Sequence, residues 1–257
     1  MKYRSFVGLL TALFTLIGCA RDLALAPPVD TDYVKVTVKL PNQLVAETMQ
    51  VIYRSTLCTF TSYNANGKPY KRDGYQNMDV ELVRVGQSDL YDAKMARDGG
   101  GECQWRLSNV TFGVVYSDPT HFGENVSYGA GGGVIVIFDH NNSPRGGADF
   151  KVDGDLVLKK DYYPWLSEAF LGGYRKQISL DDGGYIYLMY QALTAREIYF
   201  EPIVHSKFLV RSIEPKVKKK GNYPTFFYPD GSVVTEARSE PNYVKLQDIR
   251  LKAEGKQ

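Results

Sequence analysis

Alternation of apolar and polar residues is the clearest pattern in the chain. Residues 34 to 40 (Val-Lys-Val-Thr-Val-Lys-Leu) place four apolar side chains on one face of an extended segment and three polar side chains on the other. This period of two predicts a half-buried strand. The continuous apolar run from Gly133 to Phe138 predicts a strand that is buried on both faces. Weaker patterns predict further strands over Met49–Phe60, Met78–Val85, Cys103–Tyr116, Ile198–Val204, Phe208–Ile213 and Tyr243–Leu251.

Turn residues and short amphipathic stretches complete the predicted elements. Ser88 to Arg97 and Asp161 to Gly173 each have the pattern of a short helix. Ile178 to Met189 predicts a hairpin, and Tyr228 to Gly231 predicts a tight turn between two strands. Ser62 to Asn77 is polar and rich in turn residues, so it predicts a long exposed loop.

Together these elements predict a mainly β fold, with antiparallel, sandwich-like sheets, one or two short helices and a disulfide. The 19 tyrosines, 12 phenylalanines and 24 glycines also favour strands and tight turns over helices. Two organisations are compatible with the pattern. The β-rich body, residues 32–257, is either one continuous domain or has a boundary near residues 150–160.

The first eighteen residues form a separate segment. Lys2 and Arg4 precede an apolar run from Phe6 to Ile17, which is the arrangement of a secretory signal peptide. The run ends in Leu16-Ile17-Gly18-Cys19, which resembles the lipobox of bacterial lipoproteins. The resemblance implies cleavage before Cys19, attachment of diacylglycerol to its thiol, and acylation of the new amino terminus by a chain such as palmitate. An ordinary signal peptide cleaved near Ala20 is the alternative.

The same resemblance implies a location. Three acyl chains on Cys19 exceed the two signals that stable membrane anchoring requires. In Gram-negative lipoproteins an Asp directly after the cysteine favours retention in the inner membrane. This chain has Ala20 there, which implies the outer membrane, with the body facing the periplasm. Residues 19–31, which include Pro27-Pro28, are then a lipidated tether.

Charge and cysteine content narrow the possible partners. The formal net charge of +2, from 31 basic and 29 acidic residues, equals the contribution of Lys2 and Arg4. The mature chain is therefore formally neutral, which argues against nucleic acid as a partner. Cys58 and Cys103 are the two cysteines besides Cys19, and an oxidising compartment predicts a disulfide between them. A reactive thiol or a metal-binding pair is the alternative.

Signatures of catalysis are largely missing from the sequence. Ser127 lacks the first glycine of a nucleophile elbow. The histidines His121, His140 and His205 are scattered and do not have metalloprotease spacing. The run from Gly129 to Gly133 lacks the Lys-Ser/Thr pair of a phosphate-binding loop. We therefore predict no catalytic residue and no cofactor.

Metal binding has only weak support. The stretch that begins at Asp139 departs from an EF-hand calcium loop at Pro144, where glycine is required, and at Phe150, where Glu is required. No metal ligand is predicted. Calcium binding in another geometry, through Asp149, Asp153 and Asp155, stays open.

Three segments mix aromatic and charged residues in the manner of protein interfaces: Tyr63–Tyr75, Ser117–Tyr128 and Lys218–Asp230. The alternative is that their aromatics fold back over the ends of the sandwich. The residues predicted to bind a partner are Tyr70, Arg72, Tyr75, His121, Phe122, Glu124, Tyr128, Lys219, Tyr223 and Phe226.

In its lipobox, size, neutral β-rich body and lack of an active site, the chain resembles lipoproteins that protect bacteria against type VI secretion effectors, including phospholipases. The resemblance implies an immunity protein that binds a toxic secreted effector and blocks it. Two alternatives remain open. One is a structural or assembly lipoprotein of a secretion system or other envelope machine. The other is a divergent envelope hydrolase or glycan-binding module, with carboxylates clustered in a cleft.

Overall fold

Two β-sheets pack face to face around the main hydrophobic core. The computed structural model describes residues 23–140, 148–185 and 187–256, so the predicted signal peptide, Cys19 and the turn-rich residues 141–147 lie outside the described residues. A 3₁₀ turn covers Pro119–Phe122, and one α-helix, α1, covers Tyr243–Ala253. The strands are β1 (Tyr33–Lys39), β2 (Leu44–Ala46), β3 (Met49–Tyr63), β4 (Pro69–Val80), β5 (Val83–Arg84), β6 (Leu90–Ala96), β7 (Asp98–Gly100), β8 (Trp105–Tyr116), β9 (Ser127–Tyr128), β10 (Gly132–Ile137), β11 (Phe150–Lys151), β12 (Leu156–Ala169), β13 (Arg175–Asp181), β14 (Leu188–Gln191), β15 (Glu197–Val204), β16 (Val210–Ile213), β17 (Thr225–Phe227) and β18 (Val233–Thr235).

The strand order confirms the predicted mainly β, sandwich-like class. One sheet has the order β11-β14-β10-β8-β3-β4, with β2 and β7 also paired to β8. The other has the order β18-β17-β16-β12-β15-β1-β6-β5, and β13 and β9 join it through β12. The sheets are mixed rather than antiparallel throughout, because β1–β15, β12–β15 and β10–β14 are parallel pairs. Side-chain alternation carries no information about strand direction, so the sequence pattern did not distinguish parallel from antiparallel pairing.

The main core confirms the strongest strand predictions. Val34, Val36 and Val38 of β1 are fully buried, and every residue of β10 is buried. Two contacts join the sheets across the core. The ring of Phe112 on β8 packs edge-on against Phe200 on β15, with ring centres 5.9 Å apart. The Tyr53 hydroxyl on β3 donates a 2.7 Å hydrogen bond to the carbonyl of Ala96 on β6.

A second, smaller apolar cluster lies under α1. Its buried members are Tyr163, Val210, Phe226, Tyr228 and Leu246. The strand predicted over Tyr243–Leu251 is wrong, because this segment forms α1. The Asn242 side chain accepts a hydrogen bond from the Lys245 backbone N–H and so caps the helix, an N-cap signal that the sequence interpretation overlooked.

Both predicted helices are wrong as well. Ser88–Arg97 contains β6, whose seven residues all pair with β1. Asp161–Gly173 overlaps the second half of β12, where Tyr162 faces the main core and Tyr163 faces the second cluster. Since both faces of β12 are covered there, apolar residues occupy consecutive positions and the period of two disappears.

Two predicted connections also differ from the structure. β13 and β14 do not form the hairpin predicted over Ile178–Met189, because β13 pairs with β12 whereas β14 pairs with β10 in the other sheet. Ser62–Asn77 is not a loop, since β3 and β4 continue through most of it as a hairpin. The turn at Tyr228–Gly231 is confirmed between β17 and β18. The disulfide between Cys58 and Cys103 is also confirmed.

The described N-terminal residues lie against the body. The Ala26 backbone N–H donates to the Gly99 carbonyl at 2.9 Å, and Leu25 packs against the main core. Part of the predicted tether is therefore attached to the sandwich. The main core itself takes residues from both sides of the 150–160 stretch.

Replacing Phe226 tests the second cluster. Phe226 is fully buried, so Phe226→Ala should lower the free energy of unfolding by about 3–5 kcal/mol. Phe227→Ala, at a neighbouring position that is 37% exposed, is the control and should cost less than about 1 kcal/mol. Urea unfolding measures both. Equal losses for the two variants would contradict the assigned packing.

Candidate binding surfaces

The long central strand β8 separates two candidate surfaces. It has 12 residues, so its eleven steps of about 3.3 Å span about 36 Å. Beside its first residues, β3 continues past Trp105 and forms a protruding hairpin with β4; we call Thr56–Tyr75 the arm. Directly after its last residue begins Ser117–Tyr128, which we call the capped loop. The two surfaces therefore lie at opposite ends of β8.

The disulfide attaches the base of the arm to the body. Between the pairs Ser55–Gly74 and Phe60–Arg72, four residues of β3 face one residue of β4, which produces a wide bulge. Cys58 lies in this bulge and is bonded to Cys103. The Ser55 hydroxyl donates to the Cys103 carbonyl and accepts from the backbone N–H of Cys58. A Cβ atom at Gly74 would lie 1.8 Å from the Cys58 carbonyl oxygen, so only glycine fits opposite the bulge.

Aromatic side chains of the arm are exposed to solvent. Tyr63 is 66% exposed and Tyr75 is 60% exposed. Phe60 packs edge-on against Tyr75, and the Arg72 guanidinium lies 5.7 Å from the centre of the Phe60 ring. Three of the residues predicted to bind a partner, Tyr70, Arg72 and Tyr75, are therefore surface residues of one element. At the base of the arm a groove of about 310 Å³ is lined by Leu23, Cys58, Thr59, Phe60, Gly74, Tyr75, Gln76 and Trp105.

The capped loop is closed by its own hydrogen bonds. The Asp118 carboxylate accepts from the Thr120 backbone N–H at 2.8 Å and from its hydroxyl at 2.6 Å, and so caps the 3₁₀ turn. These two hydrogen bonds lower the pKa of Asp118. The Tyr128 hydroxyl donates to the Ser117 carbonyl at 3.2 Å, which joins the two ends of the loop. This is the construction of an Ω-loop, whose ends are close and whose interior is filled by its own side chains.

Apolar side chains of the capped loop fill its interior. Phe122 is half-buried and packs edge-on against Tyr116, with ring centres 4.9 Å apart, and Val126 is buried in the main core. Phe122 therefore supports the loop rather than projecting from it. His121, Glu124 and Tyr128 project from the loop and are exposed.

The third predicted segment, Lys218–Asp230, approaches the same end of the sandwich. Four residues pair in a row across β16, β12, β13 and β9, namely Ser212, Ser167, Gln177 and Ser127. Strands are about 4.8 Å apart, so the row spans about 14 Å. The connection that follows β16 therefore begins near the capped loop, and it carries the exposed residues Lys219 and Tyr223.

Phe226 is fully buried in the second cluster, so its prediction as a binding residue is wrong.

One surface feature of this end was missed in the sequence. The turn between β12 and β13 presents Leu171 and Tyr174, which is 57% exposed. Lys216 lies 5.2 Å above the ring of Phe170, so the turn contacts the connection after β16. The sequence signal for this turn was Gly172-Gly173, which was interpreted as the end of a helix. Both glycines have positive φ and lie in the turn that follows strand β12.

A pair of buried carboxylates lies at the end of β13. Asp181 and Asp182 are each 5% exposed, and one Asp181 carboxylate oxygen has no hydrogen-bond partner among the described residues. The charge of Lys160, whose ammonium lies over the rings of Tyr185 and Tyr243, acts to lower the pKa of both carboxyl groups. Burial, reinforced by the charges of Asp182 and Glu240, raises the pKa of Asp181 to about 7. The pair is enclosed in the body rather than placed in an open cleft.

His205 and the three candidate calcium ligands each form hydrogen bonds with different residues of the body. His205 lies 2.7 Å from Asp161, which Arg250 also approaches at 3.5 Å, so these residues attach α1 to β12. His121 and His140 are exposed at other places. Asp149, Asp153 and Asp155 accept hydrogen bonds from Met189, Thr194 and the Arg196–Glu197 backbone respectively. Within the described residues, no three His, Cys, Asp or Glu side chains are grouped so as to hold a metal ion.

Comparison with known proteins does not assign the chain to a family. No family model, no curated protein and no solved structure matches it. In the part of the chain that the structure describes, no helix is both long and apolar enough to span a membrane.

The buried carboxylates predict a pH-dependent stability. The folded-state pKa of Asp181, about 7, lies above its ordinary value of 3.8, so the folded state binds the proton more tightly than the unfolded state. The stability that protonated Asp181 contributes is fully present below its ordinary pKa of 3.8. It is lost as pH rises through the folded-state pKa of about 7. Asp181→Asn should therefore stabilise the protein by about 1–4 kcal/mol at pH 8 and much less at pH 5.

Urea unfolding at the two pH values measures the effect of Asp181→Asn. Asp79→Asn, at an exposed position on β4, is the control and should change stability equally at both. An Asp181→Asn effect of the same size at pH 5 and pH 8 would show that Asp181 does not titrate in this interval.

Proposed function

We propose that the protein is an outer-membrane lipoprotein, anchored through Cys19 and facing the periplasm, that acts by binding a protein and not by catalysis. Within this class we propose an immunity protein that binds and blocks a toxic secreted effector, such as a phospholipase. The capped loop is the observation that carries the proposal. It is a closed loop with exposed polar and aromatic side chains, at the end of β8 away from the described N-terminus.

The rigidity of the capped loop supports tight binding. A flexible loop loses conformational entropy when it docks, and this cost reduces affinity. The Asp118 cap, the Tyr128–Ser117 hydrogen bond and the pairing of β9 with β13 already hold the loop in one conformation. An inhibitor that fills the cleft of an enzyme needs this property.

The chemistry around the capped loop supports a protein partner. Exposed tyrosines, which offer large rigid contact area at low entropic cost, lie at this end as Tyr128, Tyr174 and Tyr223. The capped loop carries the acidic residue Glu124, and the connection after β16 carries a basic run, Lys216–Lys220. Separated patches of opposite charge favour one orientation of a partner over others.

The alternatives differ in what the protein would contact. An assembly lipoprotein of a secretion system or other envelope machine would hold several partners at once. A hydrolase or glycan-binding module would convert or bind an envelope substrate. The enclosure of Asp181 and Asp182 gives no support to a hydrolase built on that pair.

Affinity purification of the natively lipidated protein tests the proposal. The bait is extracted in mild detergent and mixed with lysate of toxin-armed neighbouring strains. Recovery of one enzyme in a one-to-one complex, with its activity lost, supports immunity. Recovery of several envelope components without an inhibited enzyme overturns it in favour of assembly. Mass spectrometry of the N-terminal peptide tests the acyl groups on Cys19 independently.

The capped loop can be tested with a matched pair of tyrosines. Tyr128 is 51% exposed and Tyr33, on β1, is 50% exposed. Tyr128→Ala should weaken binding of the purified effector by about tenfold or more, as expected of an interface anchor. Tyr33→Ala should leave the affinity within about twofold. Calorimetric titration gives both constants, and the reverse order would place the interface elsewhere.

A further inference from the structure

The N-terminal residues enter the body at the base of the arm. The Leu23 carbonyl accepts a 3.0 Å hydrogen bond from the Trp105 indole N–H and another from the Gln76 side-chain amide. The Leu23 side chain lines the groove beside Phe60 and Tyr75. Leu23, the first described residue, therefore lies at this end of the sandwich.

Chain length then limits the distance between the arm and the anchor. Cys19 precedes Leu23 by four residues, and a fully extended chain spans at most about 3.6 Å per residue, or about 14 Å. The part of the arm from Cys58 to Tyr63 is six residues of strand, whose five steps span about 17 Å. Leu23 lies in the groove beside Phe60 and Tyr75, so an anchor at Cys19 holds the base of the arm within about 14 Å of the bilayer, which is less than the length of the arm.

The side chains of the arm suit the interface between lipid and water. Its exposed apolar and aromatic residues are Leu57, Phe60, Tyr63, Tyr70 and Tyr75. Tyrosines are enriched at membrane interfaces, because the ring enters the headgroup layer while the hydroxyl stays hydrated. Lys68, Lys71 and Arg72 outnumber the one acidic residue of the arm, Asp73, and Asp73 is half-buried. Basic residues of this kind are attracted to anionic headgroups.

We propose that the arm is a membrane-contacting element that lies on an anionic phospholipid surface beside the acylated Cys19. The inference rests on the proposed anchor and extends the proposed function. The lipid and the arm hold one end of the sandwich at the bilayer. The capped loop, about 36 Å away along β8, is then presented to the periplasm. The disulfide between Cys58 and Cys103 fixes the arm in this position.

Two tryptophan substitutions test the orientation. Natively lipidated Tyr63→Trp and Tyr174→Trp are each incorporated in vesicles of phosphatidylethanolamine and phosphatidylglycerol that contain a brominated phospholipid. The two positions are similarly exposed, at 66% and 57%, and lie at the two ends of β8. The added emission of Tyr63→Trp should shift to the blue and be quenched. That of Tyr174→Trp should be unchanged. Equal quenching at both positions, or none at Tyr63→Trp, overturns the proposal.

The electrostatic attraction between the arm and anionic lipid is tested on a protein without the lipid anchor. A Cys19→Ser chain expressed without residues 1–18, which carries neither lipid nor signal peptide, should bind the same vesicles weakly and in a salt-dependent manner. Replacing Lys71 and Arg72 by Gln should lower vesicle affinity by about fivefold for each residue. Replacing Lys218 and Lys219 by Gln is the matched control at the other end and should have little effect. Equal effects of the two pairs would overturn the assignment to the arm.

The outcomes separate this inference from the proposed function. No protein partner is present in the vesicle assays, so a failure of partner binding leaves their results unchanged. If Tyr63→Trp is not quenched and Tyr63→Ala instead abolishes effector binding, the arm contacts protein and the membrane proposal is wrong. If the N-terminal peptide carries no acyl groups, the anchor is wrong and the arm proposal that rests on it is withdrawn.

Discussion

Close packing of the two sheets over β8 is the constraint on which the rest of the structure depends. β8 pairs with β2, β3, β7 and β10, and most of its side chains are buried. A strand held on both edges and packed against the opposite sheet cannot bend or shift register without exposing apolar side chains. The distance between the arm and the capped loop is therefore determined by the length of this strand. Contacts of their own then hold each surface in place, the Cys58–Cys103 disulfide at the arm and the pairing of β9 with β13 at the capped loop.

The sequence was informative where the apolar residues of a strand follow one regular pattern. The alternation in β1 and the continuous apolar run of β10 predicted both strands and their burial. Prediction failed where the two faces of a strand pack into different clusters and polar residues interrupt the apolar run. In β12, Tyr162 and Tyr163 are both fully buried, in different clusters, so adjacent apolar residues resembled a helix. α1 was missed for the converse reason, since Leu246 is its only fully buried residue and the apolar stripe is too short to recognise.

The candidate surfaces were partly predictable from composition. Clusters of tyrosine and charge correctly marked exposed segments, but composition alone does not separate Tyr223, which is exposed, from Phe226, which is buried three residues later. It also gave no indication of which segments lie together. That depends on the pairing row from β16 to β9, which joins residues 127 and 212 through two other strands. Such long-range registers are set by the whole fold and leave no local signal.

The pairing of β1 has a consequence for the order in which the chain can fold. β1 lies between β6 and β15, and Lys35 pairs with Glu197. One edge of the first strand therefore stays unpaired until the chain has been made and released into its last quarter. Folds dominated by such distant pairings form slowly, because a long loop must close before the contact stabilises it. If the protein is exported unfolded across a membrane, as the proposed location requires, delayed folding is an advantage. The same delay leaves one edge of an apolar strand unpaired, so the newly made chain would need protection from aggregation until residue 197 is available for pairing.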